Sequence, residues 1–504
     1  MSQLKAGALL SYLSIFISIA VALVYTPIMI RILGQSEFGL YSLIGSLAAY
    51  FSVMDMGLGN AMVRYTARNR VVGDENKESK LNGLFLILYT FIGLLTVVVG
   101  IAVYQSVDAL FGDKLSGTQL QSAKIMIIIL IINFALSFPL SIFSSIIRAY
   151  ERFVIDKVVS IVRIVMAPLL ILPIIYIGYG AISMVIITTV VNLGCLLFNA
   201  FYCFKKISIT FSFGKLDTTL LKEILAYSFF VFLAVIVDQI YWQTDQIILG
   251  AVKGTVSVAI YAIAMQFVKL YIQFSTSISG LFLPKASMMV ARKASSNELT
   301  EMMIRYGRLQ YIILTLILSG FILFGQPFIN IWAGANYSDA YNIVLIIMLP
   351  LTIPLIQNIG ISILYAKNLQ GFRSVMLIII AVLNVILSIP IARNYGGIGV
   401  AYITGATLFF GNVILMNIYY QKKLGINMIA FWKNIVNITV PITISLVIGF
   451  LLNILIPQET LLFIAIKICL YIVVHSFLIF KFGFNSYEKE LTLSMFKKIK
   501  GKLT

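Results

Sequence analysis

Residues 7–30 read GALLSYLSIFISIAVALVYTPIMI, a predominantly apolar stretch that ends next to the charged side chain of Arg31. The hydrocarbon core of a bilayer is about 30 Å thick, and a helix needs about 20 apolar residues to cross it. The stretch is too long for the apolar part of a signal peptide. It therefore predicts an uncleaved first membrane span.

Thirteen more apolar stretches follow, separated by short polar connectors, and 60% of all residues are hydrophobic while only 11% are charged. A soluble domain carries about a quarter charged residues, so a water-soluble fold of this size is excluded. We predict an all-α polytopic membrane protein with about 14 transmembrane helices. The predicted spans cover residues 7–30, 38–62, 82–106, 121–146, 157–177, 180–203, 223–249, 256–282, 308–329, 341–365, 374–392, 398–420, 435–456 and 460–480.

The basic residues are distributed unevenly over the connectors. Of the 37 Lys and Arg residues, 29 lie on the side of the connectors that follow even-numbered spans, five lie on the opposite side and three lie within spans. Cytoplasmic connectors of membrane proteins carry the excess of basic residues. This split predicts that both termini lie in the cytoplasm. It also attributes the net charge of +18 to membrane topology rather than to nucleic-acid binding.

The chain also contains an internal repeat. The Tyr-Gly pair at 179–180 recurs at 395–396, and the Leu-Gly pair at 33–34 recurs at 249–250, both at a spacing of about 216 residues. Six spans separate the copies, which predicts two parallel, pseudo-symmetric six-helix lobes followed by two extra C-terminal helices. The predicted divisions are 1–206 for the N-lobe, 207–222 for a cytoplasmic linker, 223–423 for the C-lobe, 424–481 for the last two spans and 482–504 for a basic cytoplasmic tail.

Several kinds of site are missing from the sequence. Cys195, Cys203 and Cys469 lie in apolar segments without CxxC spacing, and His475 is the only histidine, so a metal centre or a disulfide scaffold is not expected. No GxxxxGK[ST] phosphate-binding loop occurs either. We therefore expect no cofactor and no nucleotide hydrolysis.

Span seven carries the densest polar run inside a predicted helix, DQIYWQTDQ at residues 238–246. A charged side chain at mid-bilayer costs from about 2.5 kcal/mol upward. We predict that this face lines a wet cavity, in which carboxylates and amides bind sugar hydroxyls and aromatic rings stack on sugar faces. The alternative is that the same groups hold neighbouring helices together. The predicted substrate-lining side chains, chosen by helical spacing, are Asp238, Gln239, Tyr241, Trp242 and Asp245.

Three of the other ionisable side chains inside predicted spans are further candidates for the site. Lys269, near the middle of span eight, would either pair with Asp238 at a similar depth or meet a substrate phosphate. Asp55, in the inner part of span two, would bind a coupling cation or have a structural role. Arg163 lies about six residues into span five, from where its side chain can reach the cytoplasmic surface.

Four runs in this order resemble the motifs of polysaccharide-exporting flippases. They are RILGQSEFGLY at 31–41, DMGLG at 55–59 followed by Arg64, DQIILG at 245–250, and FINIWAG at 328–334. The chain is therefore similar to Wzx-type flippases of O-antigen or polysaccharide units, in the multidrug/oligosaccharidyl-lipid/polysaccharide exporter superfamily.

The resemblance implies two six-helix lobes in a V like that of MATE transporters, with a cavity lined by spans one, two, seven and eight. It implies transport of an undecaprenyl-pyrophosphate-linked oligosaccharide across the bacterial inner membrane, by alternating access and with Na+ or H+ as a candidate coupling ion. The expected partners are that substrate, membrane lipids and the polysaccharide polymerase machinery. Arg31, Arg64 and Arg163 are candidates for phosphate contact, although Arg31 and Arg64 lie at the ends of their spans.

Two other functions remain as alternatives. A multidrug antiporter of the same superfamily would use unpaired acidic residues to bind organic cations. A membrane glycosyltransferase or polymerase would need acidic and basic residues on sizeable outer loops, whereas the longest outer connectors, about 107–120 and 330–340, are short. We therefore expect a transporter and not an enzyme.

Overall fold

The structure is a computed structural model that describes residues 3–214, 218–457 and 460–503; residues 215–217 of the predicted linker lie outside the described residues. The helices in chain order are α1 (Gln3–Ser52), α2 (Leu58–Val72), α3 (Glu75–Phe111), α4 (Gly117–Ala149), α5 (Phe153–Tyr176), α6 (Ala181–Tyr202), α7 (Thr218–Lys253), α8 (Thr255–Ala291), α9 (Ser296–Trp332), α10 (Asp339–Ile356), α11 (Asn358–Ala366), α12 (Gly371–Leu408), α13 (Met416–Tyr419), α14 (Met428–Leu455), α15 (Leu461–Leu478) and α16 (Ser486–Leu503).

Twelve helical segments of the described chain are long and apolar enough to cross a membrane, and two of them are long enough to cross it twice. These two segments are Leu9–Val71, with 63 residues, and Gly371–Leu424, with 54 residues. The first is broken at Gly34 (φ 77, ψ 168) and the second at Gly396 (φ 57, ψ −142), backbone conformations that favour glycine. Counting each as two crossings gives about fourteen spans, so the predicted all-α polytopic membrane fold is confirmed.

The described chain forms two compact units. The first unit comprises Met1–Ala262 with Ala392–Gly396, and the second comprises Ile263–Ile391 with Gly397–Thr504. The first unit thus includes α7, which the sequence analysis assigned to the second lobe. The predicted lobe boundaries and the internal repeat stay predictions.

The core of the first unit lies where α2, α3 and α4 meet, and Leu58, Phe85 and Ile142 are among its fully buried side chains. Close backbone approach tightens this packing, since a Cβ on Gly93 of α3 would lie 2.7 Å from the Ala135 carbonyl oxygen of α4. Glycine at such contacts is typical of helices that pack inside a membrane.

The motif at 31–41 forms a tight corner within the first unit. The Glu37 carboxylate accepts a hydrogen bond from the Ala181 backbone N–H at 3.0 Å, where α6 begins. Ser36 contacts both the Gln119 amide and the Thr255 hydroxyl. Gly39 lies so close to Thr255 that any added Cβ would overlap its carbonyl group. The motif residues therefore hold the beginnings of α4, α6 and α8 against α1.

A buried ion pair attaches α16 to the second unit. The Arg308 guanidinium donates to both Glu488 carboxylate oxygens, at 2.7 and 2.8 Å, and also to the carbonyls of Asn434 and Gly483. The two side chains are only 4% and 1% exposed. Four of the five N–H groups of the guanidinium thus face an acceptor, and α16 is held against α9 and α14.

Candidate functional site

The first unit contains a polar cavity of about 410 Å³ among α2, α3, α4, α5 and α6. Four charged side chains line it, accompanied mainly by hydroxyl and amide groups. It adjoins the connector between α4 and α5, which the charge pattern places on the cytoplasmic side. The lining residues are Asp55, Gly59, Asn60, Tyr89, Ser141, Ser144, Ser145, Arg148, Asp156, Val159, Ser160, Arg163, Leu196 and Asn199.

Asp55 enters this cavity because the second span is interrupted. The chain forms a 3-10 turn at Val53–Asp55, and Met56 and Gly57 adopt left-handed conformations before α2 begins. A Cβ on Gly57 would lie 2.4 Å from the Val231 side chain, which gives a second reason for glycine here. The break places the Asp55 carboxylate at the beginning of α2.

The surroundings of Asp55 supply it with several donors. The backbone N–H groups of Gly57 and Gly59 and the charge of Arg148 lie near its carboxylate. The Tyr89 hydroxyl also lines the cavity, but it has no hydrogen-bond partner among the described residues. A negative charge at a helix N-terminus is stabilised by the exposed N–H groups and the helix dipole. This arrangement suits a structural role for Asp55, while the position at a cavity wall keeps the prediction of cation coupling open.

Asp156, Ser160 and Arg163 share one face of α5, as expected from their spacing of four and three residues. Arg163 contributes a partly buried guanidinium whose Nε has no hydrogen-bond partner among the described residues. Asp156 lies 3.7 Å from the neighbouring Lys157, a weak, partly exposed pair. Arg163, one of the predicted candidates, therefore lines the cavity with an Nε–H group that has no acceptor among the described residues.

Arg148 reaches the same cavity from the end of α4 and donates from Nη2 to the Ser145 hydroxyl at 3.2 Å. Asn199 of α6 is almost fully buried and donates to the Ser144 hydroxyl at 2.9 Å, and its Oδ1 has no partner in the described chain. The cavity thus offers cationic donors, carboxylates and neutral polar groups together. Such a set can bind a ligand that carries both an anionic group and hydroxyls.

A separate contact lies at the beginning of α3, just outside the cavity. The Tyr150 hydroxyl, in the connector after α4, donates to Glu78 at 2.5 Å, and Arg70 lies 4.1 Å from the Tyr150 ring centroid. Burial, followed by the bond to Glu78, raises the pKa of Tyr150 above its ordinary value. The phenol therefore stays protonated and keeps donating, which ties the connector after α4 to the beginning of α3.

The polar face of α7 is divided between an exposed part and a buried part. Asp238 is exposed and Gln239 is half-buried, whereas Tyr241 is buried with its ring edge-on to Trp242 at 4.9 Å. Asp245 is 2% exposed and accepts a hydrogen bond from the buried Tyr261 at 2.5 Å. This geometry favours a structural role for Asp245, which holds α7 against α8 through Tyr261. That the whole polar face lines the path of a substrate stays a prediction.

Replacing Tyr261 by phenylalanine tests this structural interpretation of Asp245. Loss of a hydrogen bond to a charged group costs about 1.5–3 kcal/mol, so the Tyr261→Phe variant should unfold at a clearly lower temperature in detergent. Tyr176→Phe is the matched control, because the Tyr176 side chain is 82% exposed. Equal unfolding temperatures for the two variants would contradict the structural role.

The other predicted residues lie away from the cavity. Arg31 is exposed, and Arg64 is exposed with its guanidinium 5.4 Å from the Tyr227 ring centroid. Lys269 belongs to the second unit and has an exposed side chain on α8. Their proposed contacts with a substrate phosphate stay predictions, as does the alternative pair of Lys269 with Asp238.

The sequence analysis missed Arg148 and Asp156 as site residues. Arg148 lies two positions beyond the predicted span 121–146 and was therefore counted with the basic connector residues, whereas in the structure it is the last residue but one of α4. The spacing of Asp156, Ser160 and Arg163 was the one available signal, since it places three polar side chains on one helix face. Nothing in the sequence says that the faces of five helices enclose a common space.

Comparison with known proteins gives one family match and one similar curated protein. Residues 4–290 match the family described as "Polysaccharide biosynthesis protein". The chain is 23% identical over 442 residues to "Uncharacterized membrane protein EpsK" of Bacillus subtilis (strain 168), a match that covers 84% of this chain and 83% of that protein.

Two solved structures share the fold. "Lipid II flippase MurJ, inward closed conformation" has a TM-score of 0.72 at 19% identity, and the match covers 94% of this chain and 98% of that one. An inward-facing multidrug resistance MATE family transporter of the MOP superfamily has a TM-score of 0.63 at 16% identity, covering 79% and 96%. At these identities the likeness concerns the fold alone.

Proposed function

Because the chain belongs to the polysaccharide biosynthesis protein family, we propose that it is a flippase for a lipid-linked oligosaccharide. The substrate would be an undecaprenyl-pyrophosphate-linked O-antigen or capsular repeat unit, moved from the inner to the outer leaflet of the bacterial cytoplasmic membrane by alternating access. The family match and the shared fold confirm the resemblance to polysaccharide transporters of the MOP superfamily.

The observation that carries the proposal is the polar cavity inside the membrane-spanning part of the first unit, within the residues that match the family. Moving sugar hydroxyls into hydrocarbon without hydrogen-bond partners costs several kcal/mol for each group. Polar side chains inside the spans lower that cost for a head group, while a prenyl tail can stay in lipid. Two of the four charged side chains, Asp55 and Arg163, lie inside predicted spans, where an ionisable group is a candidate functional residue because of its cost in lipid.

The residue roles in this proposal follow the predictions. Asp238, Gln239, Tyr241, Trp242 and Asp245 would line the path of the sugars, and Lys269 would meet the phosphate, with Arg31, Arg64 and Arg163 as further phosphate contacts. Asp55 would bind a coupling Na+ or H+ or hold α2 in place. We propose no cofactor and no catalytic activity, both termini in the cytoplasm, and polymerase machinery as a partner.

Deletion of the gene tests the proposal in cells. Lipid-linked repeat units should accumulate in the cytoplasmic leaflet and surface polysaccharide should be lost, and the wild-type gene should restore both. Protease-free spheroplasts probed with a sugar-specific lectin would measure how much of the lipid-linked unit reaches the outer leaflet. Unchanged lectin binding after deletion, in a strain without a second transporter, would contradict the proposal.

The multidrug antiporter is the rival function, and the same deletion strain separates the two. An antiporter predicts hypersensitivity to organic cations with normal surface polysaccharide. The flippase predicts the reverse, namely lost polysaccharide with unchanged susceptibility to cationic drugs.

A further inference from the structure

We propose that the cavity of the first unit binds a phosphate group, held between Arg148 of α4 and Arg163 of α5. This inference rests on the proposed function, in which Arg163 already contacts a phosphate, and adds Arg148 as the second cationic group of the same site. The phosphate can belong to a transported lipid, to a resident phospholipid or to a free ion. These sources share one chemical group, a phosphate, present as a monoester, a diester or the inorganic ion. It would reach the cavity from the side of the α4–α5 connector.

The guanidinium groups of Arg148 and Arg163 keep most of their hydrogen-bond donors unused by the protein. Within the described chain neither Arg148 nor Arg163 has an acidic group within 4.0 Å, although both line a cavity that also contains two aspartates. Arg148 makes one side-chain hydrogen bond, to Ser145, and Arg163 keeps its Nε without a partner. By contrast, four of the five N–H groups of the Arg308 guanidinium donate to an acid and two carbonyls. The two cavity arginines therefore retain most of their donors.

The unused N–H groups of the two arginines match the oxygens of a phosphate in geometry and charge. A guanidinium presents a planar fork of N–H groups that matches two phosphate oxygens, and charge-assisted bonds of this kind are about twice as strong as neutral ones. Basic pockets between transmembrane helices on the cytoplasmic side are typical sites for phospholipid head groups. The volume of about 410 Å³ exceeds what a phosphate needs. It leaves room for a neighbouring glycerol or sugar beside Ser144 and Asn199.

The two aspartates of the cavity have different effects on such a ligand. Asp55 lies near the backbone N–H groups of Gly57 and Gly59 at the beginning of α2 and near the positive charge of Arg148. Asp156 lies about two helical turns from Arg163 on the same face of α5. It is paired only weakly, with Lys157 at 3.7 Å. A phosphate at Arg163 would feel the charge of Asp156 as repulsion. The proposal therefore predicts opposite effects for neutralising the arginines and for neutralising Asp156.

The experiment measures phosphate binding by the full-length protein in dodecyl maltoside, a detergent without phosphate, with isothermal titration calorimetry. Three probes distinguish the source of the phosphate: inorganic phosphate, short-chain phosphatidylglycerol and geranyl diphosphate. Arg148→Gln and Arg163→Gln should each weaken binding about tenfold or more. Asp156→Asn should strengthen it about threefold, because a like charge is removed. Arg68→Gln, an exposed arginine of the same unit away from the cavity, should leave binding unchanged.

Each outcome decides the proposal. Binding of all three probes assigns a site for the phosphate group itself, binding of the two lipids assigns a lipid head-group site, and binding of geranyl diphosphate alone assigns a substrate-type diphosphate. If no probe binds the wild type, or if the arginine variants bind as the wild type does, the site does not exist.

Arg163→Lys keeps the positive charge but loses the planar fork of N–H groups, so it should recover part of the affinity. Should the glutamine variants fail to fold, unchanged or weaker binding by Asp156→Asn overturns the proposal.

Discussion

Replacing Glu488 by alanine is expected to destabilise the second unit by about 3–5 kcal/mol, because it leaves a buried guanidinium without its counter-charge. Arg308 is 4% exposed and donates to both Glu488 oxygens, at 2.7 and 2.8 Å. In the variant these donors would face neither water nor an acceptor. The unfolding temperature in detergent should therefore fall sharply, and α16 should become accessible to proteases.

Two further variants separate this buried pair from ordinary surface charge. The pair Lys124–Asp108, at 2.6 Å, is partly exposed, so Lys124→Gln should cost less than about 1 kcal/mol. Replacing both partners by apolar residues, Arg308→Met with Glu488→Leu, should recover most of the stability that the single variant loses. A Glu488→Ala variant as stable as Lys124→Gln would contradict the buried-pair geometry.

Gly39→Ala is expected to have the other large effect. A Cβ at this position would lie 1.9 Å from the carbonyl oxygen of Thr255 and 2.6 Å from its carbonyl carbon. Backbone atoms cannot rotate away, so α1 and the beginning of α8 would have to separate and lose their packing. Overpacking of this kind costs typically 1–3 kcal/mol and more where the backbone must move.

The matched control for Gly39→Ala lies two turns further along the same helix. Gly45 has no atom within 4 Å of an added Cβ, so Gly45→Ala should be neutral or stabilise the helix by up to about 1 kcal/mol. Fluorescence-detected gel filtration after heating compares the folded fractions of the two variants. A Gly39→Ala protein that survives heating as well as Gly45→Ala would show that α1 and α8 are not in contact at this point.

The membrane fold could be predicted from the sequence because the bilayer imposes one simple rule, a length of apolar helix for each crossing. Predicted spans such as 82–106 and 121–146 lie inside the helices Glu75–Phe111 and Gly117–Ala149. The interruption of the second span was not predicted. Hydropathy averages over many residues, whereas the turn at Val53–Asp55 depends on the conformations of Met56 and Gly57.

The candidate site was harder to predict, since a cavity depends on which helix faces meet. Asp55 and Arg163 were recognisable as ionisable groups inside spans, and both line the cavity. Arg148 was not recognised, because a charge near the end of a span is indistinguishable in sequence from an ordinary connector charge. Asp245 shows the opposite difficulty: its place in a polar stripe suggested a wet surface, while its bond to Tyr261 is buried.

Flipping of a defined substrate by the purified protein tests the central claim most directly. Proteoliposomes would carry an undecaprenyl-diphosphate-linked oligosaccharide with a fluorescent sugar, and a membrane-impermeant quencher would report how fast the sugar changes leaflet. The account predicts protein-dependent flipping of this lipid, with no uptake of cationic dyes by the same vesicles. Vesicles that accumulate the dyes while the labelled oligosaccharide stays in its original leaflet would contradict it.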